Sequence, residues 1–150
     1  MSYIQSLHHI IIRTKQSENV LPIEHSDDLY RYIWGYIKNK KSFLYRINGM
    51  PDHIHILVGI HSTIALADFV KELKTSTNAW LKGNKDKFHN FDSWGKKYAA
   101  FTIRYQDKDT VIEYIKNQRE HHKKESFEDE YRRLIAENGI DINEQYFLID

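Results

Sequence analysis

The chain has 150 residues, 41% of them hydrophobic, no cysteine, and a net charge of +1. This length and apolar content predict one globular domain with a sizeable core, and the lack of cysteine excludes a disulfide framework or a thiolate zinc site. No apolar run is long enough to cross a bilayer, and MSYIQSLHHIIIRTK lacks the features of a secretory leader, so a cytoplasmic protein with no membrane partner is expected.

Charge is unevenly distributed. Residues 125–150 hold eight acids and two bases, a balance of −6, which leaves 20 bases and 13 acids, a balance of +7, in the first 124. A basic body with an acidic tail suits nucleic-acid binding better than the total does, although ordinary solvated surface produces the same pattern.

LHHIIIRTK (7–15) is β-branched and apolar and predicts a strand. SDDLYRYIWGYIKNKK (26–41) predicts a helix with Ser26 as N-cap and Leu29, Ile33, Trp34 and Ile37 at core spacing. SFLYRINGM (42–50) and PDHIHILVGI (51–60) predict two strands, with Asn48-Gly49, Pro51 and Asp52 marking a hairpin between them. TIALADFVKELKTSTNAWLK (63–82) predicts a second helix, with Leu66, Phe69, Val70, Leu73 and Trp80 on or near one face. GNKDKFHNFDSWGKK (83–97) reads as a polar loop and YAAFTIRYQ (98–106) as a fourth strand. A third helix is expected over 107–124, and a fourth over FEDEYRRLIAENG, ending at Gly139. The order β-α-β-β-α-β predicts an α+β, ferredoxin-like fold, an antiparallel sheet with helices on one face. The expected division is a core over 1–106 and a C-terminal helical extension with an acidic tail over 107–150.

His53 and His55 lie two apart in a strand, so both imidazoles point to one face. Such a pair can ligate one metal ion, and it can equally be two hydrogen-bonded structural histidines. The apolar residues around them are expected to hold the strand without the imidazoles. On the third helix Tyr114 and Gln118 lie four apart and share a face. Gln offers a neutral oxygen ligand and Tyr a hydroxyl nucleophile, while spacing alone equally allows a core tyrosine and a surface glutamine.

NGMPDHIHILV followed by YIKNQREHH closely resembles the single-tyrosine HUH transposases of the insertion-sequence 200/605 type, including their REP-associated tyrosine transposase-like members. HUH denotes His, a hydrophobic residue, His: here His53, Ile54 and His55. KELKTSTNAWL, FDSWGKKYAAFTI and the tail from His121 to Phe147 also look like that family, in order and spacing, over roughly residues 3 to 150. Lys96-Lys97 departs from the pattern, where a Gln and a small or polar residue are expected. The resemblance implies that His53, His55 and Gln118 hold a divalent ion, Mg²⁺ or Mn²⁺. It implies that Tyr114 attacks single-stranded DNA at hairpin-bearing element ends, leaving a 5′-phosphotyrosine and a free 3′-OH. It further implies a homodimer whose tyrosine helix can act in trans. The chain has no P-loop, consistent with a covalent link that conserves the bond energy.

Ten tyrosines compete for the nucleophile's role. Tyr114 has Gln118 one turn away and the bases Arg119, His121, His122, Lys123 and Lys124 beyond it, and it falls where the family's nucleophile falls. Tyr131 and Tyr146 lie in the acidic tail, whose carboxylates are expected to repel a phosphate. Lys82, Lys85, Lys87, Lys96 and Lys97 are candidates for DNA backbone contacts. A histidine-triad hydrolase would need a third histidine where Leu57 stands. Other readings are a domesticated HUH endonuclease that binds hairpins without moving an element, and a non-catalytic nucleic-acid-binding ferredoxin-like domain. The latter has no use for His53, His55, Tyr114 and Gln118 together.

Overall fold

The computed structural model describes residues 1–150. Four strands, β1 (Leu7–Thr14), β2 (Phe43–Met50), β3 (His53–Gly59) and β4 (Trp94–Ile103), form one antiparallel sheet in the order β2-β3-β1-β4. Helices α1 (Ser26–Asn39) and α2 (Leu66–Gly83) follow β1 and β3, as the β-α-β-β-α-β order requires. Helices α3 (Lys108–Lys116), α4 (Gln118–His121) and α5 (Phe127–Glu137) complete the chain.

Alternation along the central strands divides the residues between two faces. Ile10, Ile12, Ile54, Ile56 and Val58 point one way and pack with Leu29, Ile33 and Ile37 of α1 and Phe69, Val70 and Leu73 of α2. Ile11, Ala99 and Phe101 point the other way and pack with Phe127, Tyr131 and Leu134 of α5. The expectation of helices on one face therefore holds for α1 and α2 alone. The acidic C-terminal region is a third layer, because α5 carries an apolar stripe at i, i+4 and i+7 that needs a surface to cover.

Four local expectations are corrected. Asn48-Gly49 is not the hairpin turn, because β2 continues to Met50, opposite His53, and Pro51-Asp52 makes the connection. The carbonyl of Pro51 accepts from the amides of Val20 and Leu21, and that of Asp52 from Thr14, so the segment after β1 ties the turn down. Strand β4 begins at Trp94 rather than 98, with Trp94 Nε1 donating to Thr77 Oγ1 of α2 at 2.8 Å. Trp34 is 53% exposed, one position beyond the buried stripe of Leu29, Ile33 and Ile37, with Lys38 Nζ over its ring. Ser26 is the first residue of α1 rather than its cap, and its hydroxyl donates to the carbonyl of Ile23.

The helix expected over 107–124 is interrupted at Asn117 (φ −94°, ψ 16°), which divides α3 from α4. Beside the break, the Asn48 side chain of β2 donates to the carbonyl of Lys116 at 3.0 Å. Helix α5 is capped at both ends. Ser126 Oγ accepts from the amide of Asp129. At the other end Gly139 (φ +73°) donates to Ala136 and Ile140 donates to Ile135, the paired bonds of a Schellman turn. The expectation at Gly139 is met, since this backbone conformation favours glycine.

Candidate metal and nucleophile centre

His53 and His55 stand on the face of β3 away from α1 and α2, and both are fully buried. Across the sheet, His55 is paired with Ile11 and His53 with Arg13 on β1. His53 Nδ1 lies 2.6 Å from Asp52 Oδ1, and His55 Nδ1 lies 2.8 Å from His9 Nε2. Both Nε2 atoms turn toward the same space, and were each Nδ1 to carry the proton, both Nε2 lone pairs would be free there for an ion. Outer partners hold metal-binding imidazoles in this way.

Helices α3 and α4 bring the other expected residues to that space. Gln118 is fully buried, with Oε1 at 3.3 Å from His53 Nε2. The Tyr114 ring lies over the same face, 6.0 Å between centroids from His55. The four residues singled out by spacing thus converge within one chain, over its own His53-Ile54-His55.

The sequence reading missed the residue at the centre. Glu130 of α5 is fully buried. Its Oε1 lies 3.3 Å from His53 Nε2, 3.2 Å from His55 Nε2 and 2.9 Å from His122 Nε2. Its Oε2 accepts from Gln118 Nε2 at 2.7 Å and from the Tyr114 hydroxyl. As one of three acids in the first turn of α5, it reads in sequence as a charge set against the helix dipole. The available signal was its register: Phe127, Glu130, Tyr131 and Leu134 form one buried stripe, and an acid on such a stripe needs partners. Phe127 of the same stripe stacks on His53, with 4.0 Å between centroids.

Burial would push the Glu130 carboxyl up, but hydrogen bonds to His122, His53 and His55 hold it well below the usual carboxylate range. His55 is lowered to about 4 by burial, against the pull of Glu130. His9 is lowered to about 3 by burial and by the neighbouring His55. At His53 burial acts downward, but the carboxylates of Asp52 and Glu130 outweigh it and raise the imidazole. The Tyr114 phenol is raised by burial and by Glu130. Arg133 opposes this, donating from Nη2 to the phenol oxygen at 2.9 Å while Glu125 holds its guanidinium at 3.0 Å.

The donor set fits a divalent ion. Imidazole nitrogens with fixed outer partners, a carboxamide oxygen and a carboxylate converge, and the acceptor atoms of His53, His55, His122 and Glu130 lie within 4.8 Å of one another. The expected lysines lie elsewhere. Lys82 is in α2, and Lys85 and Lys87 follow it, in the layer opposite the histidines, where Lys87 Nζ pairs with Asp28 of α1 at 2.7 Å. Lys96 and Lys97 are exposed at the start of β4, Lys97 over the Tyr146 ring. None of the five touches the histidine cluster. No helix is long and apolar enough to cross a membrane.

The chain is similar in sequence and fold to known proteins. The chain is 27% identical over 121 residues to the ISDra2 transposase TnpA of Deinococcus radiodurans, a match covering 77% of this chain and 86% of the relative. A solved chain assigned as a transposase of D. radiodurans R1 superposes with a TM-score of 0.59 at 25% identity, over 78% of this chain and 93% of that one. The structure of a REP-associated tyrosine transposase bound to a REP hairpin shares the fold, with a TM-score of 0.58 at 15% identity over 78% and 68%. The family model for IS200-like transposases matches residues 2–118, from before β1 through Gln118 and short of Glu130. With a sheet of this order carrying the paired histidines and more than half its length matched, the chain belongs to the IS200-like transposase family.

Proposed function

We propose that the protein cleaves and rejoins single-stranded DNA at hairpin-bearing element ends, with Tyr114 as nucleophile and a divalent ion, Mg²⁺ or Mn²⁺, held by His53, His55 and Gln118. One observation carries the reading: the half-buried Tyr114 and the buried Gln118, His53 and His55, brought from separate elements, meet in one cluster. The hairpin bound to the structural neighbour supports the choice of substrate.

A divalent ion in this position supplies polarisation of the scissile phosphate and offsets its extra negative charge. Asp52 and His9 hold the imidazoles with Nε2 inward. Arg133 sits beside the phenol oxygen and stabilises negative charge developing there. Attack by the phenol oxygen forms the bond to phosphorus and breaks the bond to the 3′ oxygen, leaving a 5′-phosphotyrosine and a 3′-OH. The reverse attack by another 3′-OH rejoins DNA. His53, His55, Gln118 and Glu130 are all closed off from solvent beneath α5, so a strand reaches them only after α5 shifts.

The proposal includes a homodimer. Tyr114 lies over its own chain's His55, so exchange of the tyrosine helix between protomers is not required to complete the site. Lys82, Lys85, Lys87, Lys96 and Lys97 are proposed as backbone contacts remote from the chemistry, and replacing Lys82, Lys85 and Lys87 together should flatten the salt dependence of binding.

The test is trapping. Wild-type protein incubated with end-labelled hairpin single-stranded DNA and Mn²⁺, then denatured, should give a protein–DNA adduct, and Tyr114→Phe should bind the DNA and give none. An adduct of equal yield from Tyr114→Phe would overturn the assignment.

A further inference from the structure

We infer that Glu130 and His122 join His53 and His55 in a closed four-ligand cage for a divalent transition-metal ion of the zinc class, and that this cage fastens α5 over the site. The inference rests on the reading that His53 and His55 hold metal, and it adds two ligands beyond the family-matched residues 2–118.

Ligands about 2.1 Å from a tetrahedral ion lie about 3.4 Å from one another. Glu130 Oε1 stands 3.3, 3.2 and 2.9 Å from the Nε2 atoms of His53, His55 and His122. Three of the six ligand–ligand separations are therefore near tetrahedral spacing, and all six lie within 4.8 Å. Three of the four residues are fully buried, and the His122 side chain is 6% exposed.

Ligand chemistry chooses the ion. Three imidazoles and one carboxylate suit Zn²⁺ or Co²⁺. Mg²⁺ demands octahedral oxygen ligands and retains water, which this enclosed nitrogen-rich space does not offer. The outer partners are already in place. Asp52 holds His53, His9 holds His55, and Gln118 Nε2 and the Tyr114 hydroxyl both donate to the second carboxylate oxygen, Glu130 Oε2. In this state Gln118 orients a ligand rather than serving as one.

The cage joins three separate parts of the chain: β3, the residue after α4, and α5. All four positions are taken by protein, so a DNA phosphate finds none open, as in structural zinc sites. Movement of α5 withdraws Glu130 and frees the Gln118 carboxamide to take its place beside His53 and His55. The two ligand sets then belong to two positions of α5.

Cobalt is the probe that separates them, because four-coordinate Co²⁺ absorbs visible light strongly and six-coordinate Co²⁺ weakly. Full-length protein titrated with Co²⁺ should bind one equivalent with the intense four-coordinate spectrum, and Zn²⁺ but not Mg²⁺ should displace it. Glu130→Gln and His122→Ala, checked for folding by circular dichroism, should lose that spectrum. They should also weaken Zn²⁺ binding by more than the roughly 10–100-fold that loss of an outer partner costs. Gln118→Ala should keep the four-coordinate spectrum. Amide exchange across α5 should slow on Zn²⁺ addition in the wild type and not in Glu130→Gln.

Wild-type spectrum and affinity in Glu130→Gln and His122→Ala would overturn the cage, as would a six-coordinate spectrum that vanishes in Gln118→Ala. That last result would leave the His53, His55 and Gln118 site standing. Undiminished binding in the His53→Ala, His55→Ala double variant would overturn the underlying metal reading itself.

Discussion

The two faces of this sheet come from alternate residues of the same strands, yet they are held by different physics. Beneath α1 and α2, Ile10, Ile12, Ile54, Ile56 and Val58 need only apolar neighbours of suitable shape. Beneath α3, α4 and α5, His9, His53, His55, Gln118 and Glu130 are just as buried, and each needs hydrogen-bonded partners at the right atoms. The aliphatic face tolerates a change of shape at the cost of a cavity. The polar face tolerates little, because removing one member strands the others without water. The expectation that Ile54 and its neighbours hold β3 without the imidazoles therefore meets an opposing cost on this face. Loss of His55 leaves the Glu130 carboxylate short of a buried partner, a costly state.

Both faces of the sheet also hang from one close backbone contact. Gly49 of β2 lies opposite Ile54, and a Cβ added to it would stand 2.2 Å from the carbonyl oxygen of His53 and 2.9 Å from Ile54 Cα. Backbone on both sides leaves no soft atom to yield. Gly49→Ala should therefore lose more stability than any single core truncation, or fail to fold, as read by urea denaturation beside the wild type. A loss under about 1 kcal/mol, the scale of an ordinary substitution, would show that the hairpin can widen.

Ile56→Ala should cost about 2–5 kcal/mol, the range for removing a fully buried aliphatic side chain. Because its surroundings do not titrate, that cost should be the same at pH 7.5 and pH 5.5. A cost that changed with pH would mean that the two faces are coupled.

The polar face should respond to pH where the aliphatic face does not. His55 and His9 are lowered to about 4 and about 3, so between the unfolded imidazole range near 6.5 and those values the unfolded chain binds more protons. Stability should thus fall as pH falls from about 6.5 toward 4, by on the order of 1 kcal/mol per pH unit. Glu130, held low, adds loss in the same direction below the carboxylate range. His53, raised, acts the opposite way, its contribution fading as pH rises through its folded value. Urea midpoints measured with a chelator present should show the acid-side slope, and His9→Asn should reduce it. A flat profile across that window would place the stabilising role of the face elsewhere.

The smallest effect belongs outside both faces. Trp34→Ala should shift stability by no more than about 0.5 kcal/mol, because the ring is mostly exposed beside Lys38. A loss of core size would restore the sequence-based placement of Trp34 on the buried stripe.

Much of this molecule was legible in the residues alone. Alternation in LHHIIIRT and HIHILVG gives two central strands that put His53 and His55 side by side, because side chains on a strand repeat every two residues. The helical spacing of Tyr114 and Gln118 put both on one face, and the β-α-β-β-α-β order led to an antiparallel sheet with α1 and α2 on one side, whose strand order β2-β3-β1-β4 the structure supplied. These are local properties, carried by neighbours three or four residues apart at most. The tertiary structure alone decided where α5 goes. An acidic helix looks like solvated surface when read along the chain, and only docking of Phe127, Tyr131 and Leu134 on Ile11, Ala99 and Phe101 turns it over the histidines. That docking carries Glu130 to imidazoles 75 and 77 residues earlier in the chain. A contact across such separations is set by packing of whole elements, which no local pattern records.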